Sequence, residues 1–330
     1  MGETAAAGVG TASEVSTGDT APDAAENRFG RASELRLRAA ARDGQTTLPE
    51  LYASMPFKVM HPLPVDAREL PGLAGRDGGA DGTAGTTTLA RPAQVMVMAV
   101  SAGIMAGDDQ RIEVAVDTGA ALQVTTQAFE KIHRMDDGAF ATRRTRLTVA
   151  PAAYLDYRPL PQIPFADSAF SSVTEVDLAD RTSCLVYGEI LSCGRVARGE
   201  RFAYRSYRNR VHITCAGEPV FVDNTVYEPG LDGADLAGLG FYEGFTHLAN
   251  LVLVNASISE DCFAQIRAYL LDTCGVIGAA ALADTPEDPD DVIGGITRLE
   301  SDGCLVKLLG RRAQRLQDVL EHVRDLVALG

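Results

Sequence analysis

Apolar and polar residues alternate with a period of two through much of this chain, and glycine, proline and aspartate punctuate the runs. Residues 111–116 place Ile112, Val114 and Val116 on one face and Arg111 and Glu113 on the other, the pattern of a half-buried strand. Leu122, Val124 and Thr126 resume the same period after Asp117-Thr118-Gly119, a turn signal that predicts a hairpin. Further strands are predicted over 29–37, 140–149, 154–157, 171–178, 183–190, 201–208, 211–215 and 219–223. Residues 95–100 form a continuous apolar run, suited to a strand covered on both sides. Arg143, Arg144 and Arg146 read as crowding an exposed strand. Gly103 and Gly107 flank Ile104 and Met105, a spacing that suits a bend where the backbone closely approaches another segment.

Prolines break the pattern twice. Around Met55-Pro56 and His61-Pro62 they forbid a helix interior but tolerate an edge strand or turn. In 158–168 Pro159, Pro161 and Pro164 predict a rigid extended arm. Helical periodicity enters only late. Ser257 to Glu260 resembles a capping box, Phe263, Ile266, Tyr269 and Leu270 share a face, and Gly275 marks a stop. Leu316, Val319, Leu320, Val323, Leu326 and Val327 form a second amphipathic stripe. The prediction is a mainly β, strand-dominated architecture with about two α-helices near the C-terminus.

At 330 residues with 46% hydrophobic content the chain is long enough for a sizeable core. No apolar run reaches membrane-spanning length and no secretory signal pattern opens the chain, so a cytoplasmic location is expected. The net charge of −15 is uneven. Residues 1–27 carry five acids and no Lys or Arg, which predicts a disordered acidic tail ahead of a single β-rich unit over 28–330. A flexible loop is expected near 71–88, and an acidic loop near 284–291 holds another five acids. This balance argues against nucleic-acid binding, which needs a basic footprint. Six cysteines without a Cys-x-x-Cys pair read as free buried thiols rather than a zinc site.

Candidate chemistry is sparse. Asp117-Thr118-Gly119 after an apolar strand is the pattern of a retropepsin-like aspartic protease, whose second carboxylate a homodimer would have to supply. The competing reading is a turn in which Asp117 bonds its own backbone. The glycine corner lacks the Lys-Ser/Thr of a phosphate loop, and no Gly-x-Ser-x-Gly elbow occurs. The histidines never reach i, i+4 ligand spacing, which disfavours a tight metal site but leaves room for a weak one made of carboxylates and one imidazole. Asp108, Glu130, His133, Asp167, Glu175, Glu189 and Glu200 form that pool. Arg195, Arg198, Arg201, Arg205, Arg208 and Arg210 cluster with Tyr204 and Tyr207 interleaved. Those residue types anchor protein interfaces, so a protein partner competes with a plain solvated strand face.

Several motifs together resemble the urease accessory protein UreD family, called UreH in some lineages. They are Ser101-Ala102-Gly103-Ile104-Met105-Ala106-Gly107-Asp108, Thr125-Thr126-Gln127 with Glu130-Lys131-Ile132-His133-Arg134, Pro161-Gln162-Ile163-Pro164-Phe165-Ala166-Asp167-Ser168, and Gly194-Arg195-Val196-Ala197-Arg198-Gly199-Glu200. Pro56-Phe57-Lys58-Val59, Gly244-Phe245-Thr246-His247 and Val306-Lys307-Leu308-Leu309-Gly310 look similar too. Many members carry paired glycines where this chain has Ala102-Gly103 and Ala106-Gly107. The resemblance implies a helically stacked, β-helix-like fold and a non-enzymatic scaffold. It implies binding to a UreF-type accessory protein, recruitment through it of the UreG GTPase, and docking on the urease apoprotein. GTP hydrolysis then releases nickel toward a carbamylated lysine in urease, with no tightly bound cofactor on the scaffold itself. On that footing Asp108, Glu130, His133, Asp167, Glu189 and Glu200 are expected to contribute to an internal route that holds Ni²⁺ transiently. Arg195, Arg198, Arg201, Tyr204, Arg205, Tyr207 and Arg208 are expected to face a partner.

Overall fold

The computed structural model describes residues 32–73, 89–231, 234–238, 240–274, 291–300 and 302–329. The predicted acidic tail, residues 74–88 of the predicted loop, Gly275 and residues 284–290 lie outside the described residues.

The chain opens with β1 (Ser33–Arg42) and β2 (Gln45–Ala53), then short β3 (Phe57–Val59) and β4 (Leu63–Pro64). A winding section follows: β5 (Ala93–Ala99), β6 (Asp109–Val116), β7 (Ala121–Gln127), β8 (Glu130–Ile132), β9 (Ala141–Val149), β10 (Tyr154–Arg158), β11 (Gln162–Pro164), β12 (Ala169–Leu178), β13 (Cys184–Ser192) and β14 (Ser206–Cys215). After β15 (Glu218–Tyr227) and β16 (His247–Val254) come α1 (Glu260–Thr273), β17 (Val292–Arg298), β18 (Gly303–Gly310) and α2 (Ala313–Leu329).

Apart from the short corner strands β8 and β11, successive strands of the winding section alternate between two sheets. One is seven-stranded, in the order β15-β14-β12-β9-β6-β1-β2, and the other follows β17-β18-β16-β13-β10-β7-β5-β3. Each strand pairs in parallel with its counterpart one coil later, as in β6 with β9, β9 with β12, β7 with β10 and β10 with β13. Parallel pairing requires a long crossover, and here the strand in the opposite sheet supplies it. The result is the solenoid-like stacking expected for the family. Antiparallel strands close its ends: β2 on β1, β15 on β14, and β16, β18 and β17 beyond β13.

This topology corrects the predicted hairpin. Asp117-Thr118-Gly119 does turn, but β6 and β7 belong to different sheets and never pair with each other. A turn signal fixes a local bend; it does not choose which strands then meet. The structure makes three smaller corrections. The strand predicted over 201–208 begins at Ser206 and runs unbroken through Cys215. In β5 Val95 and Val97 are buried but Met96 and Met98 are only half-buried, so its outer side is incompletely covered. The cap of α1 is Ser259, whose hydroxyl accepts from Cys262 N at 3.1 Å, whereas Ser257 sits at a φ of 55°.

Two apolar layers result. Leu35, Val114, Val124, Leu147, Leu155, Val176, Leu185 and Ile213 fill the space between the sheets. On the far side of the larger sheet Val186, Leu251, Leu253, Val306 and Leu308 pack against Ile266, Leu270, Leu316, Val319 and Val323 of the helices. That sheet is therefore buried on both faces through its middle, where β13 and β16 lose the two-residue alternation that the seven-stranded sheet, with one wet face, keeps. A buried ion cluster pins α2: Asp156 accepts from Arg324 at 2.8 Å, Arg158 at 2.7 Å and Gln123 at 2.9 Å. Burial pushes the Asp156 carboxyl up, but its two arginines outweigh that and hold it below the usual range. The six cysteines are buried and free, as the sequence suggests. No helix among the described residues is long and apolar enough to cross a membrane.

Candidate functional site

The connections between sheets are unequal. From the seven-stranded sheet to its partner the chain turns tightly, as at Asp117 to Ala120 and Ala150 to Ala153. In the return direction it takes long corners, and these corners hold the four motifs quoted above. The corners stack. Ile104 bridges Ile132 in parallel, β8 pairs with β11 through Glu130–Gln162 and Ile132–Pro164, and Gln162 pairs with Leu191. Gly103, at φ +146°, is required there, because a Cβ would collide with the Lys131 carbonyl of the next coil. That is the close approach predicted for the glycine bend.

Side chains bolt the corners together. His133 Nε2 lies 2.9 Å from the Ala102 carbonyl of the preceding coil, and its ring meets Phe165 of the following one at 4.9 Å. The Arg195 guanidinium lies over the Phe165 ring at 4.0 Å and is clamped by Glu200, which also accepts from Ala166 N at 3.3 Å. Asp108 closes its own turn by accepting from Met105 N at 2.8 Å. Asp167, at a φ of 61°, pairs with Arg134 at 3.3 Å on the surface. Thus Asp108, His133, Asp167 and Glu200 have local bonding roles in the corners.

Glu130 and Glu189 occupy a different place. They lie inside the sandwich, where the strands approach the long corners and the core turns polar. Gln110, Arg143, Ser172 and Asn209 stand in register across β6, β9, β12 and β14 and face inward. Arg143 donates to Gln110 Oε1 at 3.0 Å and to Glu130 Oε2 at 2.6 Å; Gln162 donates to the same Glu130 oxygen at 3.1 Å and accepts from the Tyr207 hydroxyl at 2.6 Å. From the opposite sheet Glu189 accepts from Asn250 Nδ2 at 2.9 Å, Asn209 Nδ2 at 2.9 Å and the Tyr187 hydroxyl at 3.1 Å. Asn250 donates onward to Asp223 at 3.2 Å, and Lys307 meets Asp223 at 3.2 Å where the lane reaches solvent.

The electrostatics of this lane are lopsided. Arg143 has a carboxylate partner, and burial, which would pull its pKa down, is outweighed by Glu130, so it stays above its ordinary value. Glu189 is held by neutral donors alone, and burial raises its pKa. Burial also pushes Tyr187 and Tyr207 well up, so both remain hydroxyl donors. Asn250 Oδ1 is buried and without a hydrogen-bond partner. Its amide cannot usefully flip, since Nδ2 already serves two carboxylates. Two cavities adjoin the lane: one of about 40 Å³ lined by Glu189, Asn209, Asn250 and Tyr207, and one of about 130 Å³ lined by Gly103, Gln110, Thr126 and Glu130. Among the described residues no three His, Cys, Asp or Glu side chains converge as a ready metal set. The six residues expected on a nickel route are therefore divided between corner and lane.

The expected partner surface is also divided. Arg198 and Arg201 are exposed, but Tyr204 and Tyr207 are 2% and 4% accessible and belong to the core behind the corners. Strand alternation turns Tyr207 inward, and Tyr204, in the loop just before β14, packs beside it with ring centroids 6.4 Å apart, so neither can anchor a partner from outside. Arg205 donates to the Asp136 and Ala139 carbonyls, and Arg208 pairs with Glu228. Arg143 is likewise misread as exposed: period two sets it apart from Arg144 and Arg146 and beside Thr145 and Leu147. That alternation was the signal available for finding it. The same alternation marks Asn209, which shares the face of Tyr207, Val211 and Ile213 in β14, whereas no comparable signal marks Asn250 or Gln162. Asp117 lies in the turn after β6 with both carboxylate oxygens 3.1 Å from Arg38 Nε. An arginine-paired surface carboxylate is not the shared-proton dyad of a protease.

Comparison with known proteins bears on what this architecture serves. The family model described as UreD urease accessory protein matches residues 31–329. The chain belongs to the UreD family. A urease accessory protein UreD from Acetivibrio thermocellus is 36% identical over 302 residues, covering 92% of this chain and 99% of the relative. A urease accessory protein UreH from Helicobacter pylori is 30% identical over 304 residues, covering 92% and 96%. A urease accessory protein UreD from Actinobacillus pleuropneumoniae is 30% identical over 284 residues, covering 86% and 92%. Membership in the UreD family supports a role in urease maturation.

Proposed function

We propose that the chain is a non-enzymatic scaffold of urease maturation whose internal polar lane conducts nickel. In this reading it binds a UreF-type partner and, through that partner, the UreG GTPase, and the assembly docks on apo-urease. GTP hydrolysis by the GTPase releases Ni²⁺, and the scaffold passes the ion toward the urease active site. The observation that carries the reading is the setting of Glu189. Neutral donors orient its carboxylate without cancelling the charge, and the unpartnered Asn250 Oδ1 stands beside it on the edge of a cavity. A divalent cation suits an oriented carboxylate and an idle carbonyl oxygen. The absence of imidazole or thiolate from this small donor group keeps affinity for nickel low, and weak holding is what a conduit needs.

The test pairs two measurements on Glu189→Gln, which preserves shape and removes the charge. Co-purification with the UreF-type partner should be unchanged. Nickel incorporation into apo-urease, measured in the reconstituted accessory complex, should fall at least tenfold. Full nickel loading with the variant would defeat the lane reading, and failure of the parent chain to co-purify with the partner would defeat the scaffold reading.

A further inference from the structure

Arg143 is the one lane residue placed to block it. The two cavities share Arg143, Tyr157, Pro159 and Leu160 among their lining residues. At that partition the guanidinium has two separate anchors. Its Nη1 and Nη2 reach the Glu130 carboxylate, which arrives from corner strand β8. Its Nε and Nη2 also reach Gln110 Oε1, which arrives from the neighbouring strand β6 of the same sheet. The Phe170 ring lies 5.8 Å from the guanidinium carbon. Loss of Glu130 would therefore leave Arg143 hydrogen-bonded to Gln110 and against an aromatic face, a second arrangement that needs no exposure to water.

Resting on the reading that nickel uses this lane, we propose that the Arg143–Glu130 ion pair is a cation-exchange gate. A divalent cation arriving in the larger cavity displaces the guanidinium from Glu130. Arg143 is retained by Gln110, and the ion gains passage past the partition toward Glu189. When the ion moves on, the guanidinium returns and closes the lane. Both arrangements keep Glu130, whose side chain is 20% exposed, paired with a cation rather than alone at the partition. A lone positive charge on the path would repel nickel; a lone carboxylate would trap it. The closed pair avoids both, and in the open arrangement the displaced guanidinium, still charged and held by Gln110, repels the ion from Glu130 and keeps its stay short. Arg143 is thus a positioning residue that sets how long nickel stays, separate from any role in holding the fold.

The experiment measures Ni²⁺ retention by equilibrium dialysis, using the full chain in complex with its UreF-type partner, alongside transfer to apo-urease. Arg143→Met, which keeps bulk and removes charge, should bind nickel at least tenfold more tightly than the parent. Adding Glu130→Gln should abolish that gain. Arg143→Lys should restore weak retention, a rescue that a purely steric role would not require. Glu130→Gln alone leaves the guanidinium charged and unpaired on the path, and transfer should slow at least tenfold. It serves as the deciding variant if Arg143→Met fails to give folded protein by circular dichroism. No gain in retention by folded Arg143→Met, or parental transfer by Glu130→Gln, would overturn the gate. Retention is read without urease, so loss of the gate is distinguishable from failure of Glu189→Gln to impair transfer, which would remove the lane itself.

Discussion

Leu147 and Arg143 lie on the same strand and the same face, yet they belong to opposite regimes of one interior. Toward the tight turns the register runs Val114, Leu147, Val176 and Ile213, all buried and apolar. Toward the long corners it runs Gln110, Arg143, Ser172 and Asn209. The backbone is equivalent in both; the side chains are not. The apolar end gains from water exclusion and tight packing. Every polar group at the other end needs a partner once buried, and there the unpartnered Asn250 Oδ1 and the uncompensated Glu189 charge remain. One end holds the coils together, and the other leaves a passage between them.

The contrast predicts graded consequences. Leu147→Ala at the apolar end should cost about 2–5 kcal/mol, read as a fall in urea midpoint with an unchanged slope. A cost near zero would mean the two ends do not differ as described. Gly103→Ala in the corner should cost about 1–3 kcal/mol through backbone strain, with the collision at the Lys131 carbonyl adding to it. Limited proteolysis should then begin at the corners, and cleavage confined to the tight turns would contradict the corner stack.

The smallest effect belongs to Glu189→Gln. Burial raises the Glu189 pKa above its unfolded value. The linked stabilisation is therefore fully present below an unfolded value of about 4.3 and is lost as pH rises through the folded value. The glutamine variant should lose that dependence, so parent and variant midpoints should diverge across mildly acidic pH. Parallel curves would show that the carboxylate carries no uncompensated charge in the fold.

Much of the strand content was legible because period two survives wherever one face meets water, as in β6 and β9. The helices were legible because their stripes meet a flat apolar sheet, as Leu316, Val319 and Val323 do. The corner motifs marked a family and a glycine bend, but not the stack of His133, Phe165 and Arg195 that spans three coils. Partner choice was illegible: Asp117-Thr118-Gly119 predicts a turn equally well for a hairpin and for a passage between sheets.

What the sequence alone determined is the alphabet of the fold: where strands run, where the chain bends, and which faces are apolar. Local sterics and the spacing of apolar side chains suffice for that. Only the tertiary structure decided that Gln110, Arg143, Ser172 and Asn209 form one inward row and that Glu189 faces it from the other sheet. Those meetings depend on coil-to-coil register, summed over many weak pairings far apart in the chain, and no short stretch of residues encodes them by itself.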